Sequence, residues 1–554
     1  EVISSVYEEL LTDSKDIVYT PEMIVSTLVD ECMPLQSPQK DFKLIDVSCG
    51  SGIFLVKAYK RIVQWWRYEQ WQKTGKLEKP SLPVLKDLLL KSIHGVDIEQ
   101  DAIRLSIFSL ALAILDEVNL DSPTWGELKF PDLNNNIITK NFFKYVTENP
   151  PNDFSLVIGN PPFNLPFVND KEPARKEYFK KLEKQFGYKT EIDIPDENPA
   201  LHFLVQSMKL LKAGGILSMI QPSGPLLYQK DLKFKEDVFS TYNLLQVIDF
   251  TKLADKLWGK KNVSTAAVFL QKSRPDSEPV LHLIANRTFS NANKLFLEFD
   301  YYDFHFMSKN DAIFKPYTWK AHLLGGGRIT SLIERLSTLP TLKEFLKEKE
   351  RKEGWCVGIG YIIGDKSNKA DFITGKETIP VEALTENGID EKQIHECLIQ
   401  RFERPRKTKK KIYEGPHILI RVITGNQGIP IAYSEKYLTF PFGIIGIHAP
   451  QDDKSELSAL YDYLKENNSL LRSYILATSG RAMIGKATSI NKDDIMRIPY
   501  SHNKNDIIFS EAEKIIIEEI ADKRKTEEIA VLNADITKFA SVFCKTLNSV
   551  YQID

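Results

Sequence analysis

Leu44-Ile45-Asp46-Val47-Ser48-Cys49-Gly50-Ser51-Gly52 is an apolar run that ends in a carboxylate and turns through two glycines into a helical stretch. A segment of this kind leads a strand directly into a covering helix, and a succession of them fits only a sheet with helices over its faces. The succession is present. Lys43 to Asp46 reads as a strand, about Ile53 to Trp66 as a helix, Ser92 to Asp97 as a strand and Asp101 to Leu115 as a helix. Further strands are predicted over Ile137 to Thr139, Leu156 to Ile158, Ile216 to Ile220, Gln246 to Phe250 and Ala266 to Leu270, with a helix over Ala200 to Leu211. The fold class is α/β, a doubly wound, Rossmann-like parallel sheet, followed by a mixed α/β domain and a helical tail.

A chain of 554 residues exceeds what one core usually organises. Gly325, Gly326 and Gly327 interrupt the pattern before a helical stretch from Ile329 to Lys352. From Gly354 to about Tyr500 the apolar runs are short and β-rich, as in Ile418 to Ile423 and Phe442 to Ile447. Ser510 to about Leu547 has helical spacing. The expected division is a helical segment over 1–40, the α/β domain over 41–320, the mixed domain over 321–505 and a helical segment over 506–554.

Seventy-three Lys and Arg against 75 Asp and Glu give a net charge of -2, so any nucleic-acid partner must be met by a local patch. The five cysteines, Cys32, Cys49, Cys356, Cys397 and Cys544, contain no CxxC pair, which argues against a disulfide framework or a zinc site. No metal is expected. No apolar run approaches the ~18 residues that span a bilayer, so the expected location is cytoplasmic with no membrane partner. The sequence begins at Glu1 without methionine, which leaves room for an upstream domain.

The glycine turn by itself reads equally as an ordinary βα turn or as a ligand cradle with free helix N–H groups. It is not the dinucleotide fingerprint, because Leu55 stands where the third glycine belongs. Gly95-Val96-Asp97-Ile98 closes the next strand with a second acid, either a helix cap or an acceptor for ribose hydroxyls. His94 reads as a buried strand histidine. The stretch Leu156 to Phe163 is more telling: an apolar strand runs into Asn160-Pro161-Pro162-Phe163. Two prolines remove two N–H donors and keep the local carbonyls out of a helix. The Asn160 oxygen and the Pro161 carbonyl can each accept a hydrogen from one planar amine, while Phe163 offers a ring face to the base that carries it.

These elements resemble the S-adenosylmethionine-dependent amino-methyltransferases, and within them the DNA adenine-N6 group. Asp46 to Gly52 matches their cofactor signature, Asn160 to Phe163 their catalytic tetrapeptide, and Tyr19-Thr20-Pro21 their Tyr-Thr-Pro element. The order of elements resembles the gamma class, as in type IIG restriction-modification and BREX-like phage-defence enzymes. The resemblance implies S-adenosylmethionine as cofactor, with Tyr19, Thr20 and Pro21 bordering its methionine part. Asp46, Ser48, Gly50 and Gly52 would shape the turn, Asp97 and Ile98 would hold the nucleoside, and Asn141 and Phe142 would meet its adenine. Val47 departs from the family's usual proline, and Asn141 from its usual Asp. Leu165 to Glu197 is expected to form a mobile wall without regular structure.

Double-stranded DNA is the implied partner, with a nuclease or other defence-system subunits as candidate partners. Arg401, Arg404, Arg406, Lys407, Lys409 and Lys410 form the strongest local basic cluster, readable as a solvated loop or as phosphate contacts. The stretch around Arg481 and Lys486 resembles the end of a recognition domain. Trp355 and Tyr361 read as core or boundary residues. Two rival functions use the same residues differently: a methyltransferase of RNA or of protein glutamine, and a DNA-specificity subunit without activity.

Overall fold

The computed structural model describes residues 20–118, 129–148, 150–164, 172–228, 232–259, 263–287, 296–424, 428–482, 484, 490–501 and 510–515. Tyr19, Lys486, Cys544 and the tail expected beyond Ile515 lie outside the described residues. The chain divides into two compact units, Glu1–Trp319 and Lys320–Asp554.

The first unit is built on nine strands: β1 (Leu44–Asp46), β2 (Ile93–Asp97), β3 (Ile137–Thr139), β4 (Phe154–Gly159), β5 (Leu211–Pro222), β6 (Asn243–Asp249), β7 (Thr265–Gln271), β8 (Val280–Ile284) and β9 (Phe304–Met307). They lie in the order β3-β2-β1-β4-β5-β7-β6-β8-β9. From β3 to β5 every pair is parallel, with Leu44 opposite both Ile93 and Leu156 and Gly159 opposite Met219. Two strands depart from an all-parallel reading: β7 runs antiparallel to both neighbours, and the edge strand β9 runs antiparallel to β8. Among its described residues the link from β6 to β7 holds the short helix Ala254–Trp258 and a 3-10 turn, and it returns beside β6 instead of crossing the sheet.

One face of the sheet is covered by helices Glu22–Cys32, Ile53–Thr74 and Gln100–Glu117. Their Ile24, Leu28, Phe54, Tyr59 and Leu110 share a core with Ile158, Ile220, Ile248 and Phe269 of the strands. Each such side chain contributes about 1.5–3 kcal/mol on full burial. Side chains alternate along a strand, so Leu217, Met219 and Gln221 of β5 turn away from that core. Helices Pro199–Ser207 and Leu232–Thr241 pack on β5 and β6.

The wall expected without regular structure over Leu165 to Glu197 contains a helix, Glu172–Phe186. It forms because Phe179 and Leu182, one helical turn apart, are both buried. Phe179 stacks on His202 at 3.6 Å and meets Phe143 edge-on at 5.3 Å.

In the second unit, strands Cys356–Ile359, Ile444–His448, His417–Arg421 and Ile431–Ser434 form an antiparallel sheet in that order. Helices Lys454–Glu466 and Asn468–Thr478 supply Leu457, Leu460, Leu471 and Ile475 to its core. The single helical stretch expected over Ile329 to Lys352 is two helices, Arg328–Ser337 and Leu342–Lys352. Pro340 breaks the run, and Thr341 with Glu344 restarts it through a reciprocal capping box. Trp355 and Tyr361 are buried. Cys32, Cys49, Cys356 and Cys397 are buried free thiols. Among the described residues no helix is long and apolar enough to cross a membrane.

Candidate active site

β1 pairs with β2 on one side and β4 on the other, so the ends of these strands bring Asp46, Asp97 and Gly159 to one edge of the sheet. Asp46 is 1% exposed and has no ion-pair partner among the described residues; its Oδ1 accepts the Ser48 N–H at 3.0 Å. Burial, with the Asp97 charge adding to it, pushes its carboxyl up to about 8. A Cβ on Gly159 would stand 2.5 Å from Asp46 Oδ1, so only glycine lets β4 pass this close.

Beyond Asp46 the backbone turns through Gly50 at φ +52° and Gly52 at φ +87°, both in the region that favours glycine. Gly50 donates its N–H to Asp97 Oδ2 at 2.8 Å, and its carbonyl accepts the Ser106 hydroxyl at 2.7 Å. A Cβ on Gly52 would meet Ser106 Oγ at 2.8 Å. Ser106 therefore fastens the turn from the helix Gln100–Glu117, a role without a sequence signal because it sits in an otherwise apolar helix. The other Asp97 oxygen accepts the Glu99 N–H at 3.0 Å, and each oxygen keeps a lone pair for a hydroxyl. Burial raises the Asp97 pKa. Ile98, next in line, is 48% exposed.

Asn160 follows β4 directly. Its Nδ2 donates to Thr20 Oγ1 at 3.0 Å, while its Oδ1 is buried without a partner among the described residues. Thr20 is buried, and Pro21 starts the helix Glu22–Cys32, so the Tyr-Thr-Pro element and the tetrapeptide meet. Pro161 is buried, Pro162 is exposed, and Phe163 is half-buried against the core.

Asn141 and Phe142 have structural employment. Asn141 caps the helix Phe142–Thr147, its Oδ1 accepting from Phe143 at 3.0 Å and Lys144 at 3.3 Å, and its Nδ2 donates to the Tyr178 hydroxyl at 3.2 Å. Phe142 is buried and stacked on Phe203 at 4.5 Å. Tyr178 went unnoticed in the sequence, being one aromatic in a charged run.

In the second unit the basic cluster splits in two. Arg406 sits at φ +65° and bonds the Gly360 carbonyl at 3.2 Å, and Lys409 pairs with Glu350 at 2.6 Å. Arg401, Arg404, Lys407 and Lys410 are exposed, Arg404 only loosely paired with Glu403 at 3.8 Å. Arg481 is also exposed.

The site suits S-adenosylmethionine on three counts. Among the described residues Asp46 is a buried acid short of a counter-charge, Ser48 Oγ and Asn160 Oδ1 are buried acceptors without partners, and the Gly50 turn presents open backbone between two acids. Fold and donor set together fit a domain that binds S-adenosylmethionine. In this chain, residues 91–255 match the model of the Eco57I restriction-modification methylase family. It is 24% identical over 292 residues to the type II restriction enzyme and methyltransferase RM.Eco57I of Escherichia coli, covering 48% of this chain and 28% of that protein. It also superposes on the solved structure of a nuclease-deletion mutant of the type ISP restriction-modification enzyme LlaGI in complex with a DNA substrate mimic. The TM-score is 0.52 at 14% identity, covering 96% of this chain and 48% of that one, a likeness of fold. The chain thus spans 28% of its curated relative's length and about half of LlaGI's.

Proposed function

We propose that the chain is a site-specific DNA methyltransferase that methylates the N6 amine of an adenine flipped out of duplex DNA, within a restriction-modification or phage-defence system. The observation that carries this reading is the state of Asn160. Thr20 holds its Nδ2, so the opposite end of the carboxamide is left as a buried acceptor, and Pro161 follows it in the chain.

S-adenosylmethionine, when bound, supplies an electrophilic methyl on a sulfonium. The chain's own part is positioning. Asn160 Oδ1 and Pro161 O accept the two amine hydrogens, which draws the nitrogen lone pair out of conjugation and aims it at the methyl. Phe163 stacks on the base, for which extrusion from the duplex costs a few kcal/mol. Asp46 faces the cationic methionine end, Ser48, Gly50 and Gly52 form the turn around it, and Asp97 accepts the ribose hydroxyls with Ile98 against the adenine. Asn141 and Phe142 border that adenine through the helix start they build. Residues 41–320 would serve chemistry, and 321–505 would choose the site, with Arg401, Arg404, Lys407, Lys410 and Arg481 on phosphates. Arg406 and Lys409, both tied down, shape the cluster more than they contact DNA. Nuclease or other defence-system subunits are the proposed partners.

The test is incubation with labelled S-adenosylmethionine and unmodified genomic DNA, followed by nucleoside separation. Label on N6-methyladenine, lost in Asn160→Ala, is the expected result. Label on RNA or protein alone would overturn the reading.

A further inference from the structure

Gln221, next to last in β5, is fully buried, yet neither its Oε1 nor its Nε2 has a hydrogen-bond partner among the described residues. Buried carboxamides are almost always paired, so an amide free at both ends marks a place that a polar ligand would complete. Its position is specific. β4 and β5 run parallel with Gly159 opposite Met219, and continuing that register sets Asn160 and Pro161 beside Ile220 and Gln221. Asn160 and Pro161, which follow the last residue of β4, and Gln221, next to last in β5, therefore stand at neighbouring strand ends.

Among the described residues the surroundings offer Gln221 no partner of its own. Opposite it is Ala266 of β7, and beyond that Asp249 of β6. The Asp249 carboxylate is already engaged by the Tyr228 hydroxyl, the Thr251 N–H at 2.8 Å and His282 at 3.5 Å. Ser264, two residues before Ala266, is also buried with its hydroxyl unpartnered among the described residues. Ala267 and Phe269 belong to the core on the other face, so alternation turns Ser264, Ala266 and Gln221 the same way. Two unpartnered polar side chains thus flank the strand ends next to Asn160.

We infer that Gln221 is a specificity residue for the target base, its Nε2 donating to a ring nitrogen that flanks the reacting amine. A 6-aminopurine carries such acceptors on both sides of its amine, N1 and N7, and a carboxamide is the side chain that commonly reads this edge. Asn160 and Pro161 use the amine hydrogens; Gln221 uses the ring. This rests on the adenine reading of the site.

The test uses the full chain and duplexes carrying the site it methylates, with adenine, 1-deazaadenine or 7-deazaadenine at the target. Gln221→Met is expected to lower kcat/KM on adenine by about tenfold or more while the S-adenosylmethionine Kd stays within about twofold. Wild type should show the same loss on one deaza base, with no further loss when that base meets the variant. Gln221→Leu, which also removes the donor, should behave like Gln221→Met and decides the matter if the latter does not fold. Full activity in the folded variant, or an equal loss on all three bases, would show that Gln221 houses only water and would overturn the inference. A wild-type chain that binds S-adenosylmethionine but methylates no adenine would instead overturn the functional reading with it.

Discussion

Thr20 Oγ1 accepts a hydrogen from Asn160 Nδ2 at 3.0 Å, across 140 positions of sequence. The bond decides which end of the carboxamide faces the substrate. Thr20→Val keeps the shape and removes the acceptor, so the carboxamide loses about 0.5–1.5 kcal/mol of orientation. The expected outcome is a kcat lower by up to about tenfold, with KM for S-adenosylmethionine little changed and Thr20→Ser restoring the rate. Steady-state kinetics of the three proteins check it, and an unchanged kcat in Thr20→Val would refute the orienting role.

Asp46 gives a pH dependence whose sign follows from its raised pKa. In the unfolded chain this acid loses its proton near pH 4, whereas in the fold it keeps the proton to about 8. The folded state binds more protons in that window, so ligand-free stability falls as pH rises from about 4 to 8. Asp46→Asn should flatten this fall and melt higher than wild type at pH 8 without ligand. The same variant should bind S-adenosylmethionine more than about tenfold less tightly, since its cationic end loses the carboxylate that faces it. In wild type, affinity should increase from pH 6.5 to 8 with release of a proton, measurable by calorimetry in buffers of different ionisation enthalpy.

Gly159→Ala would press a methyl to 2.5 Å from Asp46 Oδ1, so the buried carboxylate would have to move. Overpacking of this kind costs about 1–3 kcal/mol. A lower denaturation midpoint together with weakened cofactor binding is expected. Gly75→Ala, at another positive φ but with open space around it, should lower stability alone.

The split of the basic cluster predicts different effects for neighbouring charges. Replacing Arg401, Arg404, Lys407 and Lys410 by alanine should weaken DNA binding and reduce the log–log salt slope by about 0.9 for each phosphate no longer neutralised. Lys409→Ala should leave that slope nearly unchanged and instead remove the tie to Glu350. Fluorescence anisotropy across a salt series separates the two; equal slopes for the quadruple variant and wild type would remove this surface from the DNA contact.

Much of the site was legible because its signals are local. A strand, an acid and two glycines mark a tight βα turn, whatever it holds, and Asn-Pro-Pro keeps a helix from running through it. The direction of β7 was not legible, because Thr265 to Gln271 is a run buried almost throughout, whose pattern is the same read either way. The cap formed by Asn141 carried a readable sign, an Asn just before Phe-Phe-Lys, that was outweighed by the resemblance. Pro340 followed by Thr341 and Glu344 was likewise a readable break. Gln221 and Ser106 were beyond reach, since a glutamine in an apolar strand and a serine in an apolar helix acquire meaning only from what the folded chain sets beside them.

The reversed strand also tells where new sequence can be threaded into this chain. Because β7 starts at the edge where β4 and β5 end, Phe250 and Ser264 lie at the edge that carries the candidate site, and the link after Gln271 opens at the far edge. A reporter peptide spliced among residues 272–279 would ride away from the reacting atoms, and the same peptide ahead of Ser264 would stand in the substrate's path.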